Sequence, residues 1–600
     1  MEEGLQMNET VNAFQTAFVL GPDDEVPVVK ESENELKELR TFTDLVHSKN
    51  KALSAIDWMP QAKGMVAVSA VKNLTFDQRI QVSSQVDSAF ILLWDFKDLI
   101  HPMLKLQSPQ EAFCFKFNST IPTQVVAGCV SGQVVLWDIS EGMETMDRRK
   151  KKQSSRHGKA GDDDDSEKKV LPPQQPVAVS HIDASHRKLV ADLVWLPPET
   201  QINSRGQLLG PEHLTNKSHQ FITVAGDGQC LFWDTRFQEI SEGQLPHIAR
   251  PRQQDKRRED KDGIAPRSPW MPLFRMQMNR LEGVGELSLC RCVIGFGGDD
   301  GEDRRSQMIC TTEEGEMAFA DWRAKVNGHT SATPAGGEAD LQGQGDIAPE
   351  FVKWVADDHS RPCVALQTSP FFPEILLSVG DWNFQLWKVD WRKPIFSSPM
   401  ASTYVTTGRW SPTRPGMILL GKVDGTIDVW DFTDSSYSVS VTMLSSPSRI
   451  TSMEFLQPEA NAGSKAKQQL LSVGDAAGNL HVFLFPPNLS RPVHNERSTI
   501  ANFLERELRS VNYVNDRMQT RSTEADAAEA EEAQAASAPT EAPGVAPAVP
   551  VEAGSSSVDE EDPAMIAEET QYKALETRFI EEMGLKEADL PPHYQRGIAS

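Results

Sequence analysis

No stretch of the 600-residue chain approaches the length of uninterrupted apolar sequence that a membrane-spanning helix needs, so no membrane partner is expected. The opening residues lack a basic region followed by an apolar run, and no secretory signal is expected. Cysteine is sparse. The seven thiols fall mostly in apolar, strand-like stretches (Cys114, Cys129, Cys230, Cys310), and Cys290 and Cys292 have no second pair at zinc-site spacing. They read as reduced core thiols of an intracellular protein, with no metal. Basic charge is also short: the net charge of −26 lacks the footprint of a nucleic-acid binder. Lys and Arg are absent altogether between residues 522 and 563, where eleven Asp and Glu sit among Ala, Pro and Ser. Such a composition cannot bury enough apolar surface to order itself, so 522–562 is read as a disordered acidic linker.

Chemistry-bearing motifs are missing too. The glycine cluster Gly295 to Gly301 has no following Lys-Ser/Thr, and acidic residues occupy the place a phosphate would take. No Gly-x-Ser-x-Gly elbow occurs. His181 and His186 stand five apart in a polar connector without a ligand set. The expectation is a binding protein with no catalytic residue and no cofactor.

What is present is a repeat. "SGQVVLWD", "DGQCLFWD" and "DGTIDVWD" place Gly132, Gly228 and Gly425 five residues before Trp137, Trp233 and Trp430. Weaker copies end at Trp94, Ala320 before Asp321, Trp387 and Phe483. Each copy has an apolar run before its turn and a further strand-like piece upstream. The steps between the aromatic positions are 43, 96, 87, 67, 43 and 53 residues, two of them at the period of a four-stranded propeller blade. Seven copies predict an all-β, seven-bladed propeller of Trp-Asp (WD) repeats over 51–487, closed so that no sheet edge is left bare. Trp94, Trp137, Trp233, Trp387, Trp430 and Phe483 should end the third strand of their blades within the core. Asp138, Asp234, Asp321 and Asp431 should cap nearby backbone.

The longest inserts fall after the third strands of blades two to four and between the first two strands of blade three, so they decorate one face. The other face, with short second-to-third-strand turns, is the expected platform for a partner, and Gly132, Gly228 and Gly425 mark its turns. "RRKKKQ" is followed at once by "GDDDDSEKK", and the two runs largely cancel as a solvated loop. Residues 1–50 form a short N-terminal extension. Over 488–521 the spacing of Ile500, Phe503, Leu504, Leu508, Val511 and Val514 predicts an amphipathic helix, and 563–600 carries a second. Phe503, Leu504 and Leu508 are candidate docking residues, on the assumption that the first helix extends the short-turn face.

Longer motifs carry a family likeness. "RTFTDLVHSKNKALSAIDWMP", "LQTSPFFPEILLSVGDWNFQLWK", "RWSPTRPGMILLGKVDGTIDVWD" and "NLSRPVHNERSTIANFLERELRSVNYV" resemble the axonemal dynein intermediate chains, closest to the WD-repeat type of the two-headed inner-arm dynein. The resemblance spans roughly Leu39 to Leu585. It implies a non-catalytic subunit whose propeller grips a heavy-chain tail beside a second intermediate chain, in the cytoskeleton of the ciliary or flagellar axoneme and in the cytoplasm. ATP hydrolysis would belong to the heavy chain. Intermediate chains usually bind dimeric light chains through a long N-terminal extension, and with the propeller starting near residue 51 that partner is not carried over. An alternative rests on "FWDTR" (Phe232 to Arg236), which matches the Trp-Asp-x-Arg box of propeller substrate receptors in cullin ubiquitin ligases.

Overall fold

The computed structural model describes residues 36–537, apart from internal stretches at 75–77, 79–88, 149–171, 250–269, 297–303, 324–350 and 458–468 and a few isolated positions. The chain divides into two compact units, Met1–Met518 and Gln519–Ser600.

The first unit is a seven-bladed propeller. Its strands form seven four-stranded antiparallel sheets, six of them built from four consecutive strands, labelled a to d from the first. The a strands of successive blades touch around a closed circle, blade seven against blade one, and so form the inner wall. In six blades the a–b pairing carries a bulge at the same place, as between Val190 and Asp192 or between Ile450 and Ser452. Blade five pairs Ala365–Thr368 with Ile375–Val379 without it.

Pleating explains the core. Strand residues alternate between the two faces of each blade, and both faces lie against a neighbouring blade, so apolar residues fill both. The second strands are buried almost end to end, as in Gln220–Ala225 and Met417–Lys422. Trp94, Trp137, Trp233, Trp387, Trp430 and Phe483 all sit on c strands and are buried.

The ring closes differently from the reading above. Lys37–Phe42 is the outermost strand of blade seven, antiparallel to Leu480–Leu484 with Lys37 opposite Leu484 and Phe42 opposite Leu480. The propeller therefore begins at Lys37, not at residue 51. The Gly-x4-Trp pattern that locates blades marks b–c hairpins, and a d strand that arrives from the far end of the chain carries none of it. Phe42 is buried against Trp94 at 5.2 Å, and the Thr43 hydroxyl donates to Asn479 Oδ1 at 2.6 Å.

After blade seven comes a helix, Glu496–Ser537. It runs past residue 521 and replaces the expected disorder over 522–537. Ala and Glu dominate that stretch, and their helix propensity outweighs the lack of an apolar face. The remainder of the expected linker, the second helix and most of the "RRKKKQ…DDDD" insert lie outside the described residues.

Candidate interaction surfaces

Antiparallel order puts the a–b and c–d loops on one face of the ring and the b–c turns and d–a connections on the other. The long inserts follow this rule: the connection from Asp138 to Ala178 and that from Asp321 to Val352 are both c–d loops.

The first turns of the C-terminal helix, within the first unit, lie on the long-loop face, over blades five and six. The first residue of the helix fixes them there. Glu496 is almost wholly buried and accepts from Arg414 Nε at 3.0 and 3.2 Å, from the Gly416 amide at 3.3 Å and from the Val493 amide at 2.9 Å. Arg414, in the a–b loop of blade six, also reaches Asp431 Oδ2 at 2.7 Å. One guanidinium thus links two carboxylates, one of them the Asp of the Trp-Asp pair that ends strand c of blade six. Ile500 fills the space a side chain at Gly416 would occupy. Phe503 stacks on Phe432 at 5.1 Å and meets Phe396 at 5.8 Å. Phe503 and Leu504 are buried and Leu508 is packed against the same cluster. These three candidate docking residues therefore hold the helix to its own propeller, on the face opposite to the one assumed. An apolar stripe at helical spacing does not say which surface it covers, and the Glu496–Arg414 pairing that does say so joins residues 82 apart.

The short-turn face is built from repeated hairpins. The amides of Gly132, Gly228, Gly315 and Gly425 each donate to the carbonyl three residues earlier, and all four glycines have φ between +71° and +95°. A Cβ at Gly132 or Gly425 would also overlap a carbonyl of the d–a connection, that of His186 or Ser446. Glycine is required here on both counts. The same packing buries Gly132, Gly228 and Gly425, so they support the face from below and present no surface to a partner.

Beneath the turn of blade three runs a polar chain that motif reading passes over. Trp233 Nε1 donates to Thr223 Oγ1 at 2.9 Å. Thr223 Oγ1 lies 2.8 Å from His186 Nε2, and His186 Nδ1 is 3.2 Å from Asp227 Oδ1. An ionised carboxylate only accepts, so Nδ1 carries a proton and donates it to Asp227. His186, set aside with His181 for want of a ligand set, ties the d–a connection to strands b and c. The detectable signal was its recurrence: His359, Ser378 and Trp387 repeat the arrangement in blade five, with 2.8 Å for both hydroxyl contacts. Burial drives the His359 pKa down to about 4, which keeps the imidazole neutral.

The Asp of each Trp-Asp pair turns the chain out of strand c. Asp138, Asp234, Asp321 and Asp431 accept the amide two residues on, from Ser140, Arg236, Arg323 and Thr433, at 2.8 to 3.0 Å. In blade three Arg236 folds back on Asp234 at 2.8 Å and on Gln201 Oε1 at 3.1 Å. Its side chain is only 10% exposed, so the Arg of the Trp-Asp-x-Arg box is not offered to a partner. Burial raises the thiols of Cys114 and Cys290 to about 12 and that of Cys129 to about 11, which makes them packing groups rather than nucleophiles. Among the described residues no group of three His, Cys, Asp or Glu could hold a metal ion.

Comparison with known proteins agrees with this architecture. The family model described as the dynein axonemal intermediate chain 3 WD40 domain matches residues 34–297 and 298–484, and so takes in the N-terminal closing strand. Human dynein axonemal intermediate chain 3 is 28% identical over 87% of this chain and 61% of its own length. The zebrafish (Danio rerio) protein of that name is 27% identical over 73% of this chain and 47% of its own. Human dynein axonemal intermediate chain 2 is 23% identical, over 85% and 64%. A chain in a solved mitotic checkpoint complex overlaps 77% of this chain and 96% of its own at 12% identity and a TM-score of 0.43, a likeness too loose to add to the fold described above. The chain spans about three-fifths of the length of the human intermediate chain 3 it matches. With the model matched around the whole ring, the chain belongs to the axonemal dynein intermediate chain family, in its intermediate chain 3 WD40 branch.

Proposed function

We propose that the chain is a non-catalytic intermediate chain of an inner-arm axonemal dynein, which holds a heavy-chain tail and positions it in the ciliary axoneme. The observation that carries this reading is the family match, which follows the propeller from its closing strand to blade seven. The architecture supports a division of labour between faces. The long-loop face over blades five and six is taken by the chain's own helix, whereas exposed apolar side chains such as Leu45, Val46, Val284, Trp382 and Met400 lie on the short-turn face. A closed ring is rigid, so docking on it costs little ordering entropy. The heavy-chain tail is accordingly assigned to the short-turn face, and a second intermediate chain completes the subcomplex.

Immunoprecipitation of the tagged full-length chain from detergent-extracted cilia, read by mass spectrometry, tests the assignment. An axonemal dynein heavy chain and a second intermediate chain are expected. Recovery of cullin adaptors with no heavy chain would sink it. Deleting residues 142–167 from the long-loop face should leave heavy-chain recovery unchanged.

A further inference from the structure

Blade five breaks the pattern of its neighbours on the short-turn face. Where blades two, three, four and six have a glycine at positive φ, blade five has Trp382, whose φ is not positive. The turn closes differently, through the Gly380 amide to the Asn383 carbonyl at 2.9 Å. Two consequences follow. His359 Nδ1 pairs with Asn383 Oδ1 at 3.2 Å, where blade three uses Asp227. Asp381, which stands where Asp227 does, is left buried without a histidine partner; its neighbours are Arg361 Nε at 3.7 Å and the Tyr404 hydroxyl. The turn has given up a carboxylate–imidazole bond, and Trp382 is turned out to solvent, 42% exposed. Local rules of this kind are broken most often where a surface has another task.

Around Trp382 the exposed side chains form one patch. Its ring meets Tyr404 edge-on at 5.8 Å, the Ala401 amide donates to its carbonyl so that Met400 (79% exposed) lies beside it, and the Val423 amide donates to the Tyr404 carbonyl. Blades five and six therefore contribute Trp382, Met400, Tyr404 and Val423 to a single apolar surface. Its charges are sorted. Burial and the neighbouring Asp381 carboxylate act most strongly on the Tyr404 hydroxyl, and Arg361 and Arg449 act on it more weakly; both arginines are exposed, and Arg449 has no ion-pair partner among the described residues. Two carboxylates are buried, Asp381 beneath Arg361 and Asp428 with Lys422 at 2.9 Å, and the exposed Asp424 is engaged by Thr426 and lies 4.0 Å from Lys422. An outward arginine pair around a Trp–Tyr centre, on a chain of net charge −26, has the composition of an interface hot spot for an acidic partner.

We propose that Trp382, Met400, Tyr404 and Val423, flanked by Arg361 and Arg449, bind a segment of a partner protein that inserts large apolar side chains and carries Asp or Glu beside them. This rests on the proposed function for the protein that supplies the segment, not for its chemistry.

The test places a benzoyl-phenylalanine photocrosslinker at position 423 of the full-length chain in ciliated cells and sequences the attached peptide by mass spectrometry. A crosslinker at Tyr437, on the opposite face, serves as control. An acidic peptide with apolar anchors from a dynein heavy chain is expected, with its yield reduced roughly tenfold by Trp382→Ala and by Arg361→Glu/Arg449→Glu. The same chemistry from another protein would uphold the patch and count against the heavy-chain reading. A basic peptide, a yield indifferent to both variants, or no product at 423 beyond that at 437 would overturn the patch, while heavy-chain co-purification would still judge the function. Unchanged thermal midpoints of the variants show that the loss is not unfolding, and Arg449→Lys should restore most of the yield lost in an Arg449→Glu single variant.

Discussion

At the scale of single residues, the Trp positions look alike in sequence but are not equivalent in the ring. Trp233 donates to Thr223, whereas Trp430 Nε1 is buried without an acceptor and rests edge-on against Phe384 at 5.1 Å. Trp430→Ala should therefore act through the cavity alone and cost about 3–5 kcal/mol in the isolated propeller, read as a fall in thermal midpoint. Trp233→Phe should cost about 1 kcal/mol more than Trp430→Phe, because it also strips a donor from the Thr223–His186 chain. An equal loss in the two would show that the hydrogen bond contributes nothing. His359 provides a pH test. Its folded pKa of about 4 lies below the ordinary value of 6.5, so the unfolded chain binds the extra proton first as pH falls. The stability it contributes is complete above pH 6.5 and is lost progressively toward pH 4, by about 3 kcal/mol. Asp57 acts in the opposite sense: burial lifts its carboxyl to about 7, so its contribution is present at low pH and lost as pH rises through 7. The measurement is therefore the difference between wild type and His359→Gln, which should narrow from pH 7 to pH 4.5. A constant difference would mean that His359 is not held neutral.

At the scale of elements, hairpins were legible and their partners were not. The Gly-x4-Trp pattern reports a turn and the strand after it, so the seven c strands could be placed from local sequence. The strand Lys37–Phe42 and the docking of the C-terminal helix depend on pairings across hundreds or tens of residues, and the local pattern of each is compatible with several placements. Blade five was legible only as a weaker copy. Trp382 reads as a defective repeat until the fate of Asp381 shows what the turn has given up. For the helix, the Glu496–Arg414–Asp431 link yields a direct expectation. Removing one partner of a buried pair leaves the other uncompensated, so Glu496→Ala should destabilise by about 3–5 kcal/mol. Amide exchange should rise over 496–515 and in the a–b loop around Arg414, while the short-turn face keeps its protection. Exchange that rises evenly around the ring would mean the helix is not a separate element clamped at one point.

At the scale of the whole molecule, closure makes the ends of the chain interdependent. Leu480–Leu484 would be an edge strand were it not for Lys37–Phe42, and an exposed, apolar edge is a template for pairing with another molecule. The closing strand is held by more than its ladder. His481 sits between Glu38 at 2.9 Å and Asp475 at 3.5 Å, and Phe42 is shared with blade one. Cutting the chain within this strand should therefore act on both blades it joins, and cutting just before it should act on neither. Removal of residues 1–35 is expected to leave a monomeric propeller with an unchanged thermal midpoint. Removal of residues 1–42 should lower the midpoint, expose the Leu480–Leu484 amides to exchange and produce aggregates or strand-exchanged dimers in light scattering. A synthetic peptide covering 36–50, added in excess during refolding, should recover part of the monomer, because it supplies the ladder, the Glu38 carboxylate and the Thr43–Asn479 contact together. The same peptide with Phe42→Ala and Glu38→Gln should recover much less. If the 1–42 deletion remains monomeric and as stable as the full chain, closure by the N-terminal strand does not hold the ring together, and blade seven must be stable with three strands.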